Sequence, residues 1–298
     1  MLSNNFSIMK TLIIDGNNLI WRTYWTANSQ SKRDGIEDQD QINKFHIYFT
    51  INAIYSYIVK YAPTTTIVVW DEKIEFEKNT RKDLYEDYKG NRSGDKSPHQ
   101  NNETIKEFLE LMGINSMFPR ELEADDIIAY LCRTVIGNIV IASVDRDFLQ
   151  LVSPEVMVFD PIRKREYKFN TFKEDTGYDN TTDWLIAKCF LGDKSDNVPK
   201  VDGFGEAKIK KYLAGKVTLT DEELSVFNRN QTLFCLSQHS ISDREAEYYK
   251  NQQRDVAPNW NGFLDKCKEF NFQSILKKKE AWYNNLFFKS KLLTLFSK

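Results

Sequence analysis

Histidine and cysteine are scarce in this chain, three of one and four of the other among 298 residues. His46, His99 and His239 are isolated and lack zinc-type spacing, so all three read as structural or surface residues. Cys132, Cys189, Cys235 and Cys267 are scattered through apolar or helical contexts with no CxxC pair, which predicts reduced thiols and a cytoplasmic compartment. Only 12 glycines and 7 prolines exclude a fibrous or low-complexity protein. No apolar run reaches the roughly 18 residues of a membrane span, and Met1 to Phe6 lacks the apolar core of a secretory leader. A GxxxxGK[ST] loop is missing, which argues against an ATP-driven machine. GxSxG and a Cys/His pair are missing too, which leaves water as the expected nucleophile. Neither sign of charge dominates. Lysine plus arginine is 41 and aspartate plus glutamate 43, for a net charge of −2, so there is no basic coat and no acidic tail.

Hydrophobic residues make up 41% and aromatics 13%, enough to bury a sizeable core in one large domain or two smaller ones. Strands are predicted at Thr11–Ile14, Thr66–Trp70 and Asn138–Val144, with a weaker pair at Val156–Phe159 and Glu166–Phe169. A helix is predicted from about Asp40 to Tyr61, stopped by Pro63. Alternating strands and helices predict an α/β fold with a mostly parallel sheet and flanking helices. After about residue 180 the pattern is helical to the end. Residues 72 to 96 stand apart, with seven acidic and seven basic residues and little apolar content. They read as an excursion from the sheet, or as a solvated surface helix.

The three main strands each lead into an aspartate: Asp15, Asp71 and Asp145. Ligands in such sheets sit beyond the carboxyl ends of the strands. Glu123, Asp125 and Asp126 open a helix. Acids there complement the helix dipole, but three in four residues exceed what capping needs. Asp147 follows Asp145 closely, while Asp193 and Asp196 end a helix, where the dipole opposes them. Converging carboxylates must bind cations or protonate. Oxygen ligands without histidine or cysteine select magnesium or manganese. Two such ions suit hydrolysis at phosphorus. Calcium is the competing reading of an acidic cluster, but no EF-hand loop is present. Gly203-Phe204-Gly205 opens a helix bearing Lys208, Lys210 and Lys211, a turn that could meet a phosphate or simply connect two helices. Tyr85 to Arg92 mixes aromatic and basic residues suited to unpaired nucleic acid. The basic, aromatic tail from Phe263 reads as a packed helical end.

In order along the chain, Asp15-Gly16-Asn17-Asn18-Leu19 with Arg22, Asp71, Tyr88-Lys89-Gly90-Asn91-Arg92, Glu123-Ala124-Asp125-Asp126, Asp145-Arg146-Asp147, Gly192 to Pro199 and the glycine turn resemble the phage and bacterial 5′ nuclease family. The likeness runs from about residue 10 to 215. Weaker similarity over Asp221–Ser242 is to phage replication nucleases of the ribonuclease H type, which trim RNA primers. The resemblance implies a PIN-like nuclease domain over 1–180 with an arch at about 72–104, then a helical DNA-binding domain over 181–298. It implies a 5′→3′ exonuclease or flap endonuclease leaving a 5′-phosphate and a 3′-hydroxyl. Asp15, Asp71, Glu123, Asp125 and Asp126 would serve one Mg2+ site, and Asp145, Asp147, Asp193 and Asp196 the other, with Mn2+ able to substitute. Lys89 and Arg92 would be catalytic, and Arg22, Arg81, Tyr88, Gly203, Gly205 and Lys208 would contact DNA. Phe204 stands where the family has a small aliphatic residue, which counts against a K+ site at that turn. The implied substrates are a 5′ flap, a nick or an RNA–DNA primer duplex. A single-stranded DNA-binding protein or a polymerase clamp is the expected protein partner of an otherwise monomeric chain. The competing readings are a ribonuclease of free RNA and a catalytically inactive DNA-structure binder in replication. With the nine proposed ligands set aside, 34 acids face 41 bases, so a near-neutral total conceals an acidic site in a modestly basic body.

Overall fold

Strand β1 (Lys10–Asp15) lies between two parallel neighbours, so both of its faces must be apolar. Leu12, Ile13 and Ile14 are accordingly inaccessible to solvent. The computed structural model describes residues 9–71, 80–91, 97–120, 122–236, 241–253 and 256–288. Helices α1 (Gly16–Asp34) and α2 (Gln39–Tyr61) lead to β2 (Thr65–Val69). Short α3 (Thr80–Leu84), a 3-10 turn at Ser97–Asn101 and α4 (Asn102–Leu111) lead to β3 (Asn115–Met117). Then come α5 (Ala124–Thr134), β4 (Asn138–Ala142), β5 (Val156–Asp160) and β6 (Arg165–Tyr167). The sheet order is β3-β2-β1-β4-β5-β6, parallel except for β6.

Successive residues of a strand point to opposite faces, and two cores follow from that. Leu12, Ile14, Val68 and Val140 pack with α1, α2 and α4, whereas Ile13, Ile67, Val69, Ile139 and Ile141 pack with α5 and Phe148. The predicted strands and the α/β architecture are found. Strand β3, Asn-Ser-Met, went unpredicted because it has no β-branched residue and exists through its pairing with β2.

Among the described residues no strand follows Tyr167. Helices α6 (Phe172–Thr176), α7 (Thr181–Leu191), α8 (Glu206–Leu213), α9 (Asp221–Phe234), α10 (Asp243–Gln252), α11 (Trp260–Glu269), α12 (Gln273–Lys277) and α13 (Lys279–Trp282) complete the chain, with a π-helical turn at Tyr283–Phe288. Helices α7 to α9 build a third core around Phe190, Phe204 and Phe227. The chain then returns. Phe263, Cys267, Phe272, Ile275, Trp282 and Phe287 join the core of α2, α4 and β1, while Lys268, Lys277, Lys278 and Lys279 face solvent. The described part of the tail is thus a packed helical end with a basic face. Because Phe263 is fully buried and stacks near Phe108, Trp260 and Trp282, Phe263→Ala should cost about 3–5 kcal/mol. Urea denaturation checks this; a cost below about 1 kcal/mol would separate the tail from the core.

Candidate active site and metal centre

The chain leaves β1 toward β2 on one side and later returns to β4 on the other, which makes the β1/β4 edge the switch point of the sheet. Register places Asp15 beside Val69 and Ile14 beside Ala142. Asp71 and Asp145, two and three residues beyond those partners, therefore emerge at the same edge as Asp15. Asp15 caps α1, accepting from the Asn18 amide at 3.0 Å, and also accepts from the Ser143 hydroxyl at 2.7 Å. Asp145 caps the turn that follows β4, accepting from the Asp147 amide at 2.8 Å.

Helix α5 brings the second group. Glu123 and Asp126 form a reciprocal capping box at its start. Arg81 reaches them from α3 with its guanidinium almost wholly buried. It donates to both oxygens of Asp126 at 2.7 and 2.8 Å, to Glu123 at 3.0 Å, and through Nε to the Leu233 carbonyl at 3.0 Å. Lys89 Nζ and the Tyr88 hydroxyl donate to the same Glu123 oxygen at 2.8 and 3.3 Å. Lys89 has a left-handed backbone, φ 56°. Its amide donates to the Asp196 carbonyl at 2.8 Å, and Asn91 and Asn197 tie the same turn to the 193–198 loop through Lys194 O and Asp87 O.

That loop supplies the third group. Asp193 and Val198 close it as a bridge. Asp193 accepts from the Ser195 amide and hydroxyl at 2.7 and 2.5 Å. Lys188 Nζ lies between Asp193, at 3.0 Å, and Asp147.

The electrostatics follow from this crowding. Burial pushes Asp15 up to about 6, and nearby Asp145 and Asp71 add to the rise. Burial and the field of Asp145 drive Asp125 well up despite Lys89. Burial lifts Asp147 to about 7 although Lys188 touches it, with Asp145 on its other side. Asp193 shares that lysine yet falls to about 2, because Lys188 and the two Ser195 donors outweigh its partial burial. Among the described residues no three metal-binding side chains close on one point by themselves. The oxygen-only donor set, short of protons only at a cost, fits a hard divalent ion that keeps water or phosphate in its shell.

Asp15, Asp71 and Asp145 thus emerge at one edge, with Asp125 near Asp145 and Asp15, while other expected site residues are engaged by the protein itself. Asp126 has both oxygens engaged by Arg81 and the Glu123 amide, so it holds Arg81 rather than an ion. Arg81 is 2% exposed and Tyr88 4%, both enclosed by the protein, so neither is a DNA contact. Lys208 lies over the Phe204 ring and is paired with Glu223 at 3.0 Å. Arg22 donates to the Tyr57 hydroxyl at 2.6 Å. Gly203 has φ 71° and Gly205 caps α8, while Phe204 between them stacks on Phe190 at 4.2 Å as a core anchor. Arg92 and positions 72–79 and 92–96 of the expected arch lie outside the described residues. Lys188 was missed, although a single lysine within Trp184–Leu191, otherwise apolar, was a readable signal.

Fold and site together define a carboxylate-based enzyme of phosphodiester chemistry. Residues 10–177 match the family described as 5′-3′ exonuclease, N-terminal resolvase-like domain. A 5′-3′ exonuclease of Aquifex aeolicus is 28% identical over 288 residues, spanning 90% of this chain and 95% of its own. Flap endonuclease Xni of Shewanella loihica is 27% identical over 199 residues, 65% of this chain and 72% of its own. Among solved structures, the flap endonuclease of bacteriophage T5, in complex with DNA and metal ions, superposes with TM-score 0.62 at 19% identity, covering 82% of this chain and 97% of that one. The chain belongs to the 5′-3′ exonuclease family, and it is a nuclease.

Two predictions come from the site. Arg81→Ala strands two buried carboxylates and should cost about 3–5 kcal/mol in urea denaturation; a loss of DNA affinity at full stability would restore the DNA-contact role. The second concerns pH. Asp15 and Asp147 have folded-state pKa values above their ordinary value near 3.8. Their contribution to stability is complete below about pH 4 and is lost as pH rises through about 6 to 7. A divalent ion offsets that loss, so the Tm gain from Mg2+ should be larger at pH 7.5 than at pH 5. Equal gains at both would contradict buried carboxyls of this kind.

Proposed function

We propose that this chain is a magnesium-dependent, structure-specific 5′ nuclease. It hydrolyses phosphodiester bonds near single-strand/duplex junctions, RNA primers on DNA included, during DNA replication. The observation that carries the reading is the group of buried carboxylates at the carboxyl edge of the sheet, interleaved with Lys89 and Lys188. Asp15, Asp71, Glu123 and Asp125 would hold one Mg2+ or Mn2+, and Asp145, Asp147, Asp193 and Asp196 a second. When bound, two such ions activate water and offset charge on the leaving oxygen. The protein's own part is positioning. Lys89 is fixed at both backbone and ammonium, so its charge is available where negative charge develops on phosphate. Glu123 shares that ammonium with the site. Lys188 keeps Asp147 and Asp193 together between turnovers.

Junction specificity and 5′ polarity rest on the family and on the flap endonucleases it resembles. The segment 72–104 is read, by likeness to the family, as an arch that admits a single-stranded 5′ end. The amide end of α8 at Gly205 is read as a duplex phosphate contact. A single-stranded DNA-binding protein or a polymerase clamp is assigned to the helical C-terminal half.

End-labelled 5′-flap, nicked and RNA-primed duplexes test this reading. The 5′ label should be released with Mg2+ and retained with EDTA. Asp145→Asn combined with Asp147→Asn should abolish release while DNA binding stays within a few-fold. Unimpaired cleavage by that variant would sink the assignment of the second ion.

A further inference from the structure

Helix α1 carries a tryptophan for which its own packing gives no reason. Its buried positions, Gly16, Leu19, Ile20, Thr23, Ala27 and Ser31, form one inward stripe. With about 3.6 residues per turn, Trp25 stands on the opposite side of the helix, and it is 57% exposed. A lone exposed apolar residue is ordinary. Three further observations separate this one. The ring is braced: Tyr24 meets it edge-on at 5.7 Å and meets His46 at 5.6 Å, and His46 is fully buried and bonded to Ile20 O and Asn101. The helix also begins at the catalytic edge, since Asp15 is its cap. Trp25 therefore lies about 15 Å along the axis from that aspartate, on a stripe shared with Asn18 and Lys32 and with Trp21, which is half-buried against the first core. Finally, two cations, Lys32 and Arg33, follow it in the last turn of the same helix.

We propose that Trp25 is a stacking platform for an unpaired base of the strand that the active site cuts. A flat ring on a convex helix matches the face of a base. Paired bases within a duplex hide that face and offer only their edges in the grooves, so the occupant is single-stranded. The proposal rests on the nuclease reading above and extends it to how the unpaired segment is held.

The test uses the full chain and 5′-flap duplexes whose flap carries either normal bases or abasic sites. Binding is measured by fluorescence anisotropy in EDTA, and cleavage in Mg2+ under single-turnover conditions. Trp25→Ala should weaken binding of the normal flap roughly 5- to 100-fold, the range of one lost base–aromatic stack, and Trp25→Phe should recover most of it. Abasic sites should impose a similar loss on the wild type and add little to that of Trp25→Ala. Losses of the same size on normal and abasic flaps, or no loss on either, would overturn the proposal. Thermal melts coincident with wild type exclude misfolding at this exposed site. Failure of the wild type to cut any flap would instead overturn the nuclease reading, whereas normal cutting with no effect of Trp25→Ala removes the platform alone.

Discussion

Burial and the field of Asp145 push Asp15, Asp125 and Asp147 toward their neutral forms, and Asp125 lies in the field of Asp15 as well. Two carboxylates about 4 Å apart repel by about 4 kcal/mol at an effective dielectric near 20. Much of the surrounding structure answers that repulsion. Arg81 is inserted between Glu123 and Asp126, Lys89 against Glu123, and Lys188 between Asp147 and Asp193. Each basic group joins at least one acid from a distant part of the chain. The charge balance of the site therefore also holds together the sheet, the 80–91 segment and the helical half.

Arg81 shows how this works. A buried guanidinium needs nearly all its donors satisfied. It finds them on α5 and at the end of α9, so α3 is locked to both. Tyr88, buried as part of the third core, secures the other end of the same segment. Directly after the second anchor, Lys89 takes a left-handed backbone held by its amide bond to the Asp196 carbonyl. Asp196, whose carbonyl accepts the Lys89 amide, is itself assigned to the proposed second ion, so one hydrogen bond links the placement of Lys89 to that proposed site.

Legibility in the sequence followed the range of the interaction involved. Strands β1, β2 and β4 were readable because each is a β-branched run ending in turn residues, a pattern set by local burial on both faces. The aspartates ending them were readable as a group because parallel strands share one carboxyl edge. Strand β3 was not, since Asn115, Ser116 and Met117 have no strand preference of their own. Arg81 and Tyr88 read as nucleic-acid contacts because basic and aromatic residues in a charged segment look alike whether they face water or a buried carboxylate. Only long-range packing distinguishes the two. Asp126 read as a ligand because three acids in four residues carry no mark showing which one Arg81 will occupy.

The sequence by itself determined the α/β class, the oxygen-only donor set and the carboxylates placed at strand ends and helix starts. Those depend on residue type and on periods of two and 3.6, which the chain carries locally. Tertiary structure alone decided which of these acids meet the protein's own arginine and lysines. It also decided that Phe204 serves as a core anchor and that the tail returns to the first core. These outcomes depend on side chains tens of residues apart meeting at low dielectric, where pairing, burial and protonation are settled together.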